Sequence, residues 1–472
     1  MTAHRVRSAE DLGLDFDSIR ADLEVPGDFA SEVIEAAERA AASPRVPDHD
    51  ATDIEFVTID PEGSRDLDQA VSISATGDGW RVHYAIADVA AWVSPSGPVD
   101  VEARNRTQTF YAPDRRISLH PPVLGEGAAS LLPDGPRPAA LWTIDVAADG
   151  TTTAVDLRRA MVRSRAKLSY TGVQKQIDAG EAPAPIAELP ALGAALLADA
   201  RRRGAIDLGL PEQEVERNAE GRWTVSLRHD LAVETWNAQV SLLTGRAAAR
   251  IMLDGGFGVL RTLPPPDDQT VARLRAASSN LGIDWPDEQD PGAVLDALDR
   301  SDPKAMAFAD LAAELLRGAG YTTFRDGATP AETGHGGVGA PYAHVTAPLR
   351  RLVDRFGTEA CLAIVAGRPV PGWVDEALDS LPTSMASGDA VAKKLDRAVI
   401  DATEAFVLAD RVGDLFAAHV VEAGDKYGTI VIDDPAIRAR CDGGNLPLGG
   451  AVKVRLAEAD VQRRVVRFER VV

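Results

Sequence analysis

From residue 54 onward the apolar residues change period. "IEFVTID", "DQAVSIS" and "WRVHYAIADVAAWV" alternate apolar with polar positions and are separated by Gly and Asp turns, so residues 54–93 read as consecutive strands. Upstream, "DFASEVIEAAERAAA" spaces its apolar residues as a helix does, up to the breaker "SPRVPDHDATD". Downstream, "PAALWTIDVAADGTTTAVDLRRAMVRSRAKLSY" reads as a hairpin across "ADGT". "TWNAQVSLLTGRAAARIML" reads as a long helix, and residues 267–320 as a helical bundle broken near "WPDEQDPG". "GDAVAKKLDRAVIDATEAFVLADRVGDLFAAHV" opens as a further helix. The final stretch returns to short alternating strands with Gly and Asp turns, which points to a small closed barrel of OB type; the competing reading is a β-extension of the main domain. A chain of 472 residues holds two or three cores. The expected class is α+β, divided into a helical segment 1–50, a large mixed domain 51–411 and a barrel 412–472.

The strand-turn-strand "TIDPEGSRDLDQAVSI" carries Asp60, Asp66 and Asp68. Asp60 ends the first strand, and Pro61 and Gly63 force a turn. Asp66 and Asp68 are two apart, so in an extended stretch their side chains point the same way. Three gathered carboxylates repel one another and raise each other's pKa, and a hard divalent cation is the usual compensation. Such ions also bind phosphate and serve phosphodiester cleavage. In a chain with 72 acidic residues the same spacing also describes a solvated acidic turn.

A second stretch, "YAHVTAPLRRLVDR", places Arg350 and Arg351 after Pro348 at a helix start. An arginine beside a helix N-terminus is well placed to hold a phosphate; a surface arginine pair is the alternative. Carboxylates plus a phosphate-binding arginine are what metal-assisted phosphodiester hydrolysis needs.

With these stretches in hand the chain resembles the RNB-domain family of ribonuclease II and ribonuclease R. The resemblance runs in the family's order. "TIDPEGSRDLDQAV" resembles its acidic metal motif, and "VHYAIADVAAWV" its "VHIADV" strand with one residue more. "RNRTQTFYAPDRRISLHPP" resembles its "RGTSVYLPxxxxPMLP" segment, "VRSRAKLSY" its following strand, and "YAHVTAPLRRLVDR" its "YAHFTSPIRRYxDL" motif. Together these span about residues 52–360.

The resemblance implies hydrolysis of single-stranded RNA from the 3′ end to 5′-mononucleotides with magnesium, for which manganese can substitute. By position, Asp60, Asp66 and Asp68 match metal-binding catalytic aspartates. Arg350 matches the arginine at the scissile phosphate, with Arg351 beside it on the RNA. Tyr111 matches an aromatic that stacks on a base; without the resemblance it reads as a half-buried strand residue. The implied fold is a mixed or antiparallel sheet wrapped by helices, its site at the bottom of a narrow channel, followed by an RNA-binding barrel. Arg438, Arg440, Arg455, Arg463, Arg464, Arg467 and Arg470 bias that barrel toward basic.

Departures from the pattern matter. The motif usually ends in two adjacent aspartates, and here it reads Asp68-Gln69. A family helix carries a glutamate near the site, and the position aligned with it is Gln239. The usual N-terminal cold-shock barrels have no counterpart in the 50 or so residues before the catalytic domain. No aromatic occurs in "AIDLGLPEQEV", where a second base-stacking residue is expected. His344 and His83 lie beside motifs and read as supports, not as ligands or bases.

Composition limits the alternatives. No apolar run approaches the roughly 20 residues of a membrane span, and the N-terminus lacks a secretory apolar core. Cys361 and Cys441 lie far apart, without metal-type spacing, which fits a reducing cytoplasm. The net charge of −22 argues against a protein that coats nucleic acid. Three functions therefore compete: an active exoribonuclease working as a monomer on single-stranded RNA; an RNA-binding protein whose catalysis is reduced by Gln69 and Gln239; and a metal-dependent phosphatase or nuclease acting on another substrate.

Overall fold

The computed structural model of the protein describes residues 14–471. The first part of the expected helical segment, residues 1–13, lies outside the described residues. Two short helices open the described chain, α1 (Phe16–Asp22) and α2 (Ser31–Ala41). Asp15 caps α1 by accepting the Ser18 N–H at 3.0 Å. Then come β1 (Phe56–Asp60), β2 (Gln69–Thr76), β3 (Gly79–Ala87), α3 (Pro98–Arg106) and the small hairpin β4 (Phe110–Tyr111) and β5 (Arg116–Ile117). β6 (Arg137–Ala147), β7 (Thr152–Val162) and β8 (Ser164–Ser169) complete the large sheet, in the order β7-β6-β3-β2-β1-β8. Neighbours are antiparallel except β1 and β8, which run parallel, with Asp60 opposite Ser169.

Period-two alternation explains why both faces of this sheet are covered. Val57, Ile59, Val71, Ile73, Tyr84 and Trp142 face one core. Phe56, Ala70, Ala85 and Leu141 face the other, against Val33 and Ala37 of α2. The first core is closed by α4 (Tyr170–Asp178), α5 (Leu189–Arg202) and, beyond the hairpin β9 (Glu212–Arg217) and β10 (Trp223–Arg228), by the long α6 (Ala232–Gly255). β11 (Gly258–Thr262) pairs with β12 (Gly320–Phe324) across the helices α7 (Asp268–Leu281), α8 (Pro291–Asp296) and α9 (Pro303–Ala312). β13 (Gly334–His335) and β14 (Ala340–Pro341) precede α10 (Leu352–Val365), α11 (Gly372–Ala377) and the 28-residue α12 (Leu381–Leu408).

The last five strands, β15 (Leu415–Ala423), β16 (Tyr427–Ile432), β17 (Ile437–Asp442), β18 (Ala451–Asp460) and β19 (Val465–Arg470), close a barrel in the order β15-β16-β17-β19-β18. It has its own core of Phe416, Val420, Ile430, Val454 and Phe468. The class is α+β, as expected, and the tail is a closed barrel, not an extension of the large sheet.

The barrel's basic bias is largely paired within the protein. Arg438 grips Asp310 of α9 through two hydrogen bonds of 2.6 and 2.8 Å. Arg440 reaches Asp442, Arg463 reaches Glu458, and Arg464 reaches Asp22 of α1. Arg440 also lies 3.9 Å over the ring of the exposed Tyr427. Among the described residues no helix is long and apolar enough to cross a membrane.

Candidate active site

The three aspartates leave the edge of β1 and return to β2 through a turn whose backbone needs Gly63, at φ +88°. Leu67, fully buried, anchors the return. Its N–H is donated to Ser130 Oγ at 2.9 Å and its carbonyl accepts the Leu131 N–H at 3.0 Å. Asp66 and Asp68 flank Leu67 in the chain, and the charge of Asp66 acts on Asp68.

The three carboxylates meet different partners. Asp68 is 4% exposed; its Oδ1 accepts the Leu349 N–H at 2.7 Å, and Arg350 Nε lies 3.4 Å from its Oδ2. Burial holds its pKa well above the usual carboxylate range, against Arg350 and the Leu349 amide. Asp60 is pushed up to about 6, first by burial and then by the charge of Asp66, with Arg350 and Lys167 opposing. Asp66 is bonded to Arg116 Nη1, and Arg116 Nη2 lies 2.8 Å from Glu126. Aspartates and Arg350 thus lie within electrostatic reach of one another.

Arg350 sits in a tight turn (348–350) just before α10, not in its first helical turn as the sequence suggests. The reason lies in the loop amides: Asp68 takes the Leu349 N–H, and buried Asp354 takes the Ala347 N–H at 2.7 Å. The turn is tied to the Tyr111 segment by Thr109 N–H donating to the Arg350 carbonyl and Leu352 N–H to the Thr107 carbonyl, each at 2.9 Å. Arg350 stays nearly half exposed. Tyr111 is half exposed, while burial pushes its hydroxyl up to about 12. Both line a recess of about 320 Å³ with Tyr321 and His344.

Three other expected residues sit differently. Arg351 is locked onto Asp354 by two hydrogen bonds of 2.5 and 2.8 Å, so its guanidinium fixes the loop while one edge lines the recess. Gln69 has both ends of its amide engaged: its Nε2 donates to the Thr346 carbonyl at 2.7 Å, and its Oε1 accepts from Tyr84 OH at 2.7 Å. Gln239 is not brought to this cluster. It lines a separate pocket with Arg201, Arg203 and Asp230. The side of α6 that meets the site presents Ser241, 2.8 Å from Tyr84 OH, and Asn237, whose Nδ2 donates to Tyr170 OH at 3.2 Å. Two residues along a helix turn a side chain by about 200°.

His344 is held well below its usual pKa by burial and by Arg351 and Arg261, so it is a neutral imidazole. Its Nδ1 is 2.8 Å from Tyr321 OH, and its ring packs edge-on against Tyr321 and Tyr342. Sequence reasoning missed Arg116, Glu126, Tyr84 and Asp354. For Arg116 a signal existed, since "YAPDRRI" places it across a tight turn from Tyr111, and the two are cross-strand partners in β4–β5.

The donor set suits a hard divalent ion. Among the described residues no group of three or more His, Cys, Asp or Glu is drawn together tightly enough to hold a metal unaided. Magnesium commonly takes only one or two protein carboxylates and completes its shell with water and substrate phosphate, so the carboxylates of Asp60, Asp66 and Asp68 are of the right chemistry without forming a closed cage.

The RNB domain matches residues 48–357, and the RNase II-type exonuclease C-terminal S1 domain matches residues 414–471. Ribonuclease R of Escherichia coli (strain K12) is 32% identical over 325 residues, covering 65% of this chain and 39% of that protein. Ribonuclease R of Aquifex aeolicus (strain VF5) is 27% identical over 456 residues, covering 87% of this chain and 63% of that protein. The chain thus spans less than two thirds of the length of these relatives. The structure of Mycoplasma genitalium RNase R in complex with ribose methylated single-stranded RNA superposes with a TM-score of 0.87 at 18% identity, covering 97% of this chain and 77% of that one. Yeast Ssd1, a pseudonuclease, superposes at 0.69 and 16% identity, covering 90% of this chain and 54% of that one. At such identities the likeness is one of fold, and that fold includes a pseudonuclease. With the domain match spanning most of the chain and the S1 barrel behind it, the protein belongs to the RNB-domain family of ribonuclease II and ribonuclease R.

Proposed function

We propose that this chain is a metal-dependent exoribonuclease that hydrolyses single-stranded RNA from the 3′ end to 5′-mononucleotides. The observation that carries this reading is the meeting of Asp60, Asp66 and Asp68 with a half-exposed Arg350, whose recess is shared with Tyr111. Asp60, Asp66 and Asp68 would hold magnesium or manganese, which supplies an activated water and charge stabilisation when bound.

The chain's own residues do the rest. Arg350, ion-paired on one side with Asp68, offers its exposed face to a phosphate and opposes the charge that develops on it. Tyr111 stacks on a base of any identity, since every base has a π-face. Asp354 and Arg351 hold the loop that aims Arg350. His344 stays neutral and hydrogen-bonded to Tyr321, so it supports the recess and takes no proton.

A second reading, RNA binding with reduced catalysis, is favoured by one observation: Gln69 is neutral and both ends of its amide are engaged by Thr346 and Tyr84. A time course on 5′-labelled single-stranded RNA with magnesium, manganese or EDTA, beside Asp68→Asn, separates the two. A metal-dependent ladder shrinking from the 3′ end and absent in Asp68→Asn supports the exoribonuclease. Intact RNA with every metal, together with measurable RNA binding, supports the second reading.

A further inference from the structure

We propose that Arg20 of α1 is a positioning residue for RNA: it grips Asp114 at the turn of the β4–β5 hairpin and thereby sets Tyr111 at the recess. The consequence for RNA rests on the exoribonuclease reading, in which Tyr111 stacks on a base; the grip on the hairpin does not.

The hairpin has little to hold it by itself. Its strands are two residues each, form a sheet of their own, and match Phe110 with Ile117 and Tyr111 with Arg116. So short a ribbon is not stable alone in water. Its base is fixed to the Arg350 loop, where Thr109 N–H donates to the Arg350 carbonyl at 2.9 Å. Alternation along the strand then turns Phe110 inward and Tyr111 outward. Phe110 and Ile117 join one apolar cluster with Phe16 and Ile19 of α1 and Leu395 and Val399 of α12.

The tip is fixed by charge. Arg20 is 7% exposed, and its two terminal nitrogens donate to the two oxygens of Asp114, at 2.6 and 2.8 Å. This fork sets direction as well as distance. Asp17, on the same helix, accepts a further hydrogen bond from Arg20 at 2.6 Å and aims the guanidinium. Asp114 lies just past Tyr111 in a turn closed by Ala112 N–H donating to the Arg115 carbonyl at 3.1 Å. α1 is braced in turn: Phe16 packs edge-on against Trp223 of β10 at 5.3 Å, and Asp22 pairs with Arg464 of the barrel. Two residues 94 apart in the chain thus join the base-stacking hairpin to the β9–β10 hairpin and the barrel.

The test is a double-mutant cycle on the full chain. Arg20→Gln removes the fork, Tyr111→Ala removes the ring, and a short fluorescein-labelled single-stranded RNA is titrated by anisotropy in EDTA, so that no cleavage intervenes. Hydrogen exchange over residues 108–117, without RNA, reads the hairpin itself. Arg20→Gln is expected to weaken RNA binding about fivefold with Tyr111 present and less than about twofold with alanine there. It is also expected to speed exchange in the hairpin while the large sheet stays protected. Arg20→Lys, which keeps the charge and loses the fork, should fall between. An equal loss of affinity in both backgrounds would mean that Arg20 acts through stability alone, and overturns the proposal. So does an Arg20→Gln chain that binds RNA as tightly as the natural one. If Arg20→Gln does not fold, Asp114→Asn, on the more exposed partner, takes its place in the cycle. If the natural chain binds no RNA, the functional reading falls, and exchange in the hairpin decides whether Arg20 holds the turn.

Discussion

Replacing Glu404 with glutamine is expected to stabilise the protein increasingly as the pH rises. Glu404 lies on α12, 2% exposed, where the helix meets both the β9–β10 hairpin and the barrel. Its Oε1 accepts the Gln213 amide and the Arg438 N–H of β17, each at 2.8 Å. Burial pushes its pKa up to about 7 from an ordinary 4.5, against those two hydrogen bonds. The folded protein therefore keeps a proton that the unfolded chain has released. The resulting stability is fully present below about pH 4.5 and is lost as pH rises through 7. At 1.36 kcal/mol per unit, the shift is worth about 3 kcal/mol across that window. Glutamine keeps the accepting oxygen and has no proton to lose. Urea unfolding at pH 5, 7 and 8.5 should thus show the advantage of Glu404→Gln over the natural chain growing by about 2–3 kcal/mol toward alkaline pH. A difference that does not change with pH would refute the reasoning, since it would mean that Glu404 ionises as readily in the fold as outside it.

Asp354→Asn leaves the Arg351 guanidinium without its counter-charge in a dry loop, and should cost about 3–5 kcal/mol in urea unfolding. Tyr111→Ala should weaken the binding of short single-stranded RNA by about 1–3 kcal/mol, equally for each 3′ base, measured by fluorescence anisotropy. Gln69→Asp should lower stability by about 1–2 kcal/mol, because the shorter acid has no proton to donate to the Thr346 carbonyl, and it should leave RNA cleavage no faster in the labelled-RNA assay.

Much of the site was legible because its parts are local. The turn after Asp60, the spacing of Asp66 and Asp68 around an apolar Leu67, and the loop before Leu352 each declare themselves within a dozen residues. The closed barrel was legible from alternation and turn residues. What a helix face presents was not. α6 is rich in alanine on several sides, so its periodicity leaves the facing side open, and only packing against Tyr84 and Tyr170 selects Ser241 and Asn237 over Gln239. The start of α12 was read near Gly388, whereas the helix begins at Leu381. Glycine looks like a breaker there, yet it serves a close approach: a Cβ at Gly388 would fall on the Thr107 hydroxyl. The seven tail arginines suggested a basic groove, but five of them are paired with carboxylates: Arg440 and Arg463 with near neighbours in the chain, and Arg438 and Arg464 with Asp310 of α9 and Asp22 of α1, which only the folded chain brings to them, while Arg467 lies near Asp442 and Glu458. The parallel pairing of β8 with β1 joins segments about a hundred residues apart and is beyond any local pattern.

The position next to Asp68 shows how shape and chemistry part company in this fold. Three links tie the acidic turn to the loop of Arg350: Leu349 N–H to Asp68, Arg350 to Asp68, and the Gln69 amide to the Thr346 carbonyl. The last needs a donor, which a carboxylate cannot supply when ionised and an amide always can. Glutamine thus exchanges a charge for a latch: it holds the two loops in register without any ion, at the cost of a ligand oxygen. A site latched in this way keeps its geometry whether or not it turns over. Activity in such a site depends on charge balance. Here Asp66 is paired with Arg116, and position 69 carries no charge.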